Sequence, residues 1–147
     1  MDNVKGRSEM NKILRVDMSK LKAKVSDAPE KYKHMGGRWL TDYIVCDEVD
    51  PLCNPIGPNN KVVFAPGIVT GTSAPSSGRL SVGGKSPLTG GIKEANAGTP
   101  FSQKLARLGY KAVVVEGQSK EKKYWLLKID KDGAKFHPAD EWVGKGL

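Results

Sequence analysis

Cysteine, histidine and long apolar runs are all scarce in this sequence, and each scarcity removes a class of protein. The 2 cysteines, Cys46 and Cys53, stand seven positions apart. That is not the C-x2-C spacing of a zinc or iron–sulfur site, and two thiols cannot fill a four-ligand shell. Both read as buried structural thiols. The 2 histidines, His34 and His137, lie outside any carboxylate or cysteine pattern and read as surface or packing residues. No apolar run approaches the ~18 residues of a membrane span, and the polar start MDNVKGRSEMNK does not have the make-up of a secretory signal. The expectation is a cytoplasmic protein with no membrane partner.

What the chain does have is charge and glycine. Its 24 Lys+Arg against 16 Asp+Glu give a net charge of +8, which raises the question of a nucleic-acid ligand. The basic residues are spread over both ends, as at Lys20, Lys22, Lys24 and Lys120, Lys122, Lys123, and they alternate with acids and turns. They form no single basic helix, and no RNP, KH or zinc-finger pattern accompanies them, so the expectation is no nucleic-acid partner. At 147 residues and 38% hydrophobic content the chain suits one domain with a modest core.

Periodicity predicts strands over Lys12–Met18 and Leu21–Val25, joined by a turn at Asp17–Lys20. Ser26–Pro29 breaks the pattern. A helix follows from Arg38 to about Val49, with Trp39, Leu40, Tyr43, Ile44 and Val49 as its apolar face, stopped by Asp50-Pro51. After a Pro/Asn loop come strands at Lys61–Ala65 and Arg79–Gly84. Thr99, Pro100 and Gly109 punctuate a second helix as cap, first turn and stop. Tyr110–Glu116 reads as a strand buried on both faces. Tyr124–Ile129 and Ala134–Phe136 form a hairpin around Asp130–Gly133. Strands outnumber helices and hairpins alternate with single helices, so the fold class is α+β. The tail Trp142–Leu147 stops as if another element should begin. A domain incomplete at its C-terminus and a natural frayed tail both fit.

The stretch from Gly67 to Gly98 holds eight glycines, several Ser and Thr residues, and basic side chains that include Arg79 and Lys85. Glycine lets backbone approach a ligand closely, and free N–H groups with hydroxyls make anion ligands. Neither G-x-x-x-x-G-K-[ST] nor a post-strand G-x-G-x-x-G occurs. The residues alone leave two readings open: turns between short strands, or a binding loop for an anionic ligand.

The run Asn60–Leu80, NKVVFAPGIVTGTSAPSSGRL, resembles the N-terminal domain of the aldehyde:ferredoxin oxidoreductase family. The resemblance continues through Lys85–Gly90 (KSPLTG), Glu94–Gly98 (EANAG) and Leu105–Gly117, and it takes in Lys12–Asp17, Gly36–Arg38 and the final Trp142, Gly144 and Lys145. It implies two packed β-sheets with a few short helices, on which a bis-pterin tungsten or molybdenum cofactor lies. Arg79 would contact the pterin and sit between it and an iron–sulfur cluster. Asn96 would lie by the magnesium ion that bridges the two pterin phosphates, offering its backbone carbonyl. Gly98 would touch the pterin through its backbone, and Lys85 would be a further anion contact.

The resemblance also implies what is missing. The family's [4Fe–4S] cluster uses a C-x2-C-x3-C run and a distant cysteine, and none of these is present, nor are the acid/base groups of the aldehyde site. Residues 1–147 are thus expected to be a pterin-binding domain that cannot turn over alone. Its partners would be further domains or a separate chain carrying the cluster cysteines, with ferredoxin as electron acceptor, and the assembly leaves room for a homodimer. The full enzyme would oxidise aldehydes to carboxylic acids. The alternative is a stand-alone pterin-binding small subunit or carrier paired with a separate catalytic chain.

Overall fold

The structure, a computed structural model, describes residues 10–121 and 123–146. Eight strands form two sheets, with two α-helices and two short 3-10 turns. The strands are β1 (Lys12–Asp17), β2 (Lys22–Asp27), β3 (Lys61–Pro66), β4 (Arg79–Lys85), β5 (Ile92–Gly98), β6 (Tyr110–Glu116), β7 (Trp125–Asp130) and β8 (Gly133–Pro138). Helix α1 spans Gly37–Glu48 and α2 spans Pro100–Arg107. The large sheet runs β2-β1-β6-β3-β4-β5, and β7-β8 make a separate hairpin. Only the β1–β6 neighbours are parallel. The expected α+β class with two sheets holds. Residues 1–9 of the polar start lie outside the described residues.

Period-2 alternation sorts the sheet's side chains onto two covered faces. On one face Ile13, Val63, Ala65, Ala112 and Val114 meet Leu40, Ile44 and Val45 of α1. On the other, Leu14, Val16 and Val113 meet Leu105 of α2, with Leu127, Ile129 and Phe136 of the hairpin packed against them. That double cover is why the Val-rich β6 has no polar face. A bulge at Lys111 interrupts the β1–β6 register, where Lys12 faces Tyr110 and Ile13 faces Ala112. It lets Tyr110 and Val113 serve the same face although three positions apart.

Four sequence expectations need correction. The buried face of α1 is Leu40, Thr41, Ile44 and Val45, whereas Trp39 and Tyr43 are exposed. The apolar count misplaced the face because Gly83 of β4 lies directly under Thr41 and admits it to the interface. A Cβ on Gly83 would stand 2.8 Å from the Thr41 Cβ. Cys46 is exposed, and only Cys53 is buried. The second strand begins one residue later and runs on to Asp27. β5 was not expected at all, since Ile92–Gly98 has no apolar alternation and is largely exposed.

Gly83→Ala is therefore expected to push α1 off the sheet and cost about 2 kcal/mol, the usual size of overpacking a tight contact. A urea midpoint equal to that of the parent would show that the helix accommodates the methyl group.

The C-terminal turn of α1 is tied to the sheet by charge. Arg15 of β1 donates both guanidinium ends to Glu48. Lys61 of β3 donates to Glu48 at 2.8 Å and to Glu116 of β6 at 2.7 Å. Burial opposes ionisation of Glu48, but the hydrogen bonds from Arg15 and Lys61 outweigh it and bring its pKa from the ordinary 4.5 to about 2. No helix among the described residues is long and apolar enough to cross a membrane.

Candidate functional site

β4 and β5 form an antiparallel ribbon at the open edge of the large sheet, closed by a turn over residues 86–91. The ribbon's hydrogen-bond phase follows from its ends. Thr99 N–H donates to Gly78 O and Ser86 N–H donates to Gly91 O. Antiparallel pairs alternate between bonded and non-bonded, so the pairs 80/97, 82/95 and 84/93 are bonded. The pairs Arg79/Gly98, Ser81/Asn96 and Gly83/Glu94 are not. The main-chain N–H and C=O groups of Asn96 and Gly98 consequently point away from β4, to the edge that no strand covers.

The same alternation sets the side chains. Gly83 faces α1, so Arg79 and Ser81 share its face of the sheet, as do their partners Gly98 and Asn96. This is the part of the sheet just beyond the α1 N-terminus. The Asn96 carboxamide is committed there: its oxygen accepts from Ser81 Oγ at 2.9 Å and its nitrogen donates to Glu94 Oε2 at 3.1 Å. Arg38, in the first turn of α1, donates Nε to the same Glu94 oxygen at 2.9 Å. Glu94 Oε1 is buried with no hydrogen-bond partner among the described residues. Burial, and next the Glu94 charge, raise the pKa of neighbouring Asp42. With its side chain fixed by the scaffold, Asn96 keeps its backbone carbonyl for the open edge.

Arg79, Gly98, Thr99, Gly78, Ser76 and Gln103 line a groove of about 400 Å³ where the ribbon meets α2. Arg79 is exposed, and among the described residues its guanidinium has no hydrogen-bond or ion-pair partner. A Cβ on Gly98 would meet nothing within 4 Å, so the chain's own packing does not demand glycine there. Thr99 accepts from Phe101 N–H at 3.0 Å and caps α2, with Pro100 in the first turn. The helix therefore begins at the groove, with its positive end toward it.

The structure brings Arg79, Asn96 and Gly98 together and leaves Lys85 apart. Lys85 ends β4, six residues and about 20 Å from Arg79 at ~3.3 Å per residue. Its ammonium donates to the carbonyls of Pro51 and Cys53, the latter at 2.6 Å, and Asn60 bonds its main chain on both sides. Lys85 thus clamps the Pro51–Asn60 loop. Cys46 and Cys53 contribute to no cluster: no group of three or more His, Cys, Asp or Glu among the described residues could hold a metal ion. The sequence reading missed Ser81, Glu94 and Gln103. The first two become visible only through the register of a strand that alternation does not reveal.

Residues 13–147 match the family described as "Aldehyde ferredoxin oxidoreductase, N-terminal domain". The chain is 44% identical over 121 residues to the tungsten-containing aldehyde ferredoxin oxidoreductase of Thermococcus kodakarensis, covering 81% of this chain and 20% of that protein. It is 42% identical over 119 residues to the Pyrococcus furiosus protein of the same name, covering 80% and 20%. It therefore spans about a fifth of the length of these relatives. Among solved structures, the active-site complex BamBC of benzoyl coenzyme A reductase, in complex with 1,5-dienoyl-CoA, superposes with a TM-score of 0.88 at 27% identity, over 95% of this chain and 21% of that one. With a family match over residues 13–147 and more than 40% identity to these relatives over four fifths of its length, the chain belongs to the N-terminal domain family of aldehyde ferredoxin oxidoreductase.

Proposed function

We propose that this chain is the pterin-cradling part of an oxidoreductase that converts aldehydes to carboxylic acids with ferredoxin as acceptor. The observation that carries the reading is the Arg79–Asn96–Gly98 corner, where an exposed arginine, outward main-chain groups and an open glycine lie together at one sheet edge. The tungsten bis-pterin group, when bound, supplies the two-electron chemistry.

The chain's own residues bind and orient that group. Arg79 donates in-plane N–H groups to the pterin edge while staying charged. Asn96 would hold a magnesium ion through its backbone carbonyl, since a hard cation takes oxygen ligands. Ser81 and Glu94 hold the Asn96 side chain so that this carbonyl is fixed. Gly98 lets the ligand approach the main chain, and the α2 start places positive potential beside the phosphates. The cluster cysteines and the acid/base groups belong to polypeptide outside this chain.

The test is retention of pterin and tungsten by protein purified from tungstate-fed cells, read by fluorescence after oxidative release and by elemental analysis. Gly98→Val fills open space and is expected to leave the thermal midpoint within a few degrees, as a surface change does. The isopropyl group would occupy the groove, so pterin content should fall severalfold. Full pterin content in Gly98→Val would refute the assignment of this groove.

A further inference from the structure

The Arg79 groove holds a second uncommitted polar side chain, Gln103, and nothing in the reading above uses it. Helix α2 is anchored through Ser102, Leu105 and Ala106, which are buried, and Ser102 Oγ donates to Thr99 O at 2.8 Å. This anchoring fixes the rotation of the helix and sets Gln103 on the groove wall. The side chain is half-buried, and its carboxamide has no hydrogen-bond partner among the described residues. Gly78 confirms how closely it is held. Gly78 is not among the residues with positive φ, so backbone conformation does not require glycine there. A Cβ at that position would come within 3.0 Å of Gln103 Nε2. The glycine makes room for the amide.

We propose that Gln103 is a specificity-determining residue that contacts the cofactor, its carboxamide reading the N–H and C=O edge of a planar heterocycle seated in the groove that Gln103 lines together with Arg79 and Gly98. This rests on the pterin reading of the groove. Phosphate oxygens only accept hydrogen bonds, and donors alone would serve them. A carboxamide offers a donor and an acceptor in one plane, which matches the alternating amino, ring N–H and carbonyl edge of a pterin.

The experiment titrates the 147-residue chain with 6-hydroxymethylpterin and, separately, with inorganic phosphate, following amide and side-chain NH2 signals by NMR. Gln103→Leu removes both amide functions and is expected to weaken pterin binding about tenfold, the size of a groove hydrogen bond lost from an otherwise intact site. Gln103→Glu keeps the shape and should weaken it comparably, by replacing the donor with a charged acceptor. It also decides the matter should the leucine variant misfold. Phosphate binding should be unchanged in Gln103→Leu, which alters no charge. Pterin binding equal to wild type in both variants, with loss in Arg79→Ala, overturns the role of Gln103 and leaves the pterin reading standing. Loss of phosphate binding in Gln103→Leu overturns the heterocycle assignment. A wild-type chain that shows no pterin-induced shifts, or an Arg79→Ala chain that binds as wild type, overturns the pterin reading and this inference together.

Discussion

Arg79→Ala is expected to lower the pterin content of the purified protein at least tenfold while leaving its unfolding midpoint unchanged. The two halves of that expectation have separate origins. The guanidinium is exposed and has no partner among the described residues, so truncating it leaves no buried charge or empty volume. Surface changes of that kind stay within about 0.5 kcal/mol. A charge-assisted hydrogen bond to a ligand is worth about 1.5–3 kcal/mol, which is a factor of about 10–100 in affinity. Arg79→Lys should fall between the two, because it keeps the charge and loses the planar fork. Undiminished pterin in Arg79→Ala would remove this residue from the site. A large drop in midpoint would show that its role is structural.

Glu48→Gln should lower stability by about 2 kcal/mol at neutral pH, as much as Gly83→Ala. Removing one member of a partly buried ion network strands its partners, here Arg15 and Lys61. Solvent screening keeps the loss well below that of a deeply buried pair, since Arg15 and Glu116 side chains retain 31% exposure and those of Glu48 and Lys61 17% and 16%. The sign with pH is fixed by the direction of the shift. Glu48 titrates at about 2 in the folded chain and at its ordinary 4.5 when unfolded. Its contribution is complete above the unfolded value, declines as pH falls from about 5 toward 2, and is gone below the folded value. Wild type and Glu48→Gln should converge in urea midpoint across that window. Parallel curves would assign the network no part in acid stability.

What the sequence allowed one to read divides along physical lines. Strands β1, β3, β4 and β6, the terminal hairpin and the capped helix α2 carry signals within a few residues: alternation, a turn, a Thr-Pro start and a glycine stop. The face of α1 does not, because it depends on Gly83 lying opposite Thr41, a contact 42 residues away in sequence. β5 escaped for a related reason. Its residues are small or charged and largely exposed, and it is a strand because β4 pairs with it. Asn96 and Gly98 are named through family resemblance alone, and Arg79 also as a basic residue of a glycine-rich stretch. The register places all three at one sheet edge. Lys85 looked equivalent to Arg79 as a basic residue in a glycine-rich stretch, and only strand length separates them. Gln103 had no sequence signal, since a polar residue near a helix start is ordinarily solvated.

The short turn between β4 and β5 also sets a rule for how this chain can vary in length. Gly90, at φ +72°, helps close that turn, and the residues beyond it inherit their orientation by counting from it. One residue added or removed there would turn the strand over. Asn96 would swing its carboxamide to the opposite side of the sheet, and its carbonyl would be handed to β4. Changes of two residues would restore the phase. Related sequences should therefore differ in this turn by even numbers or carry a compensating bulge farther along, and an odd-length variant without one should fold yet lose the outward main-chain groups of Asn96 and Gly98.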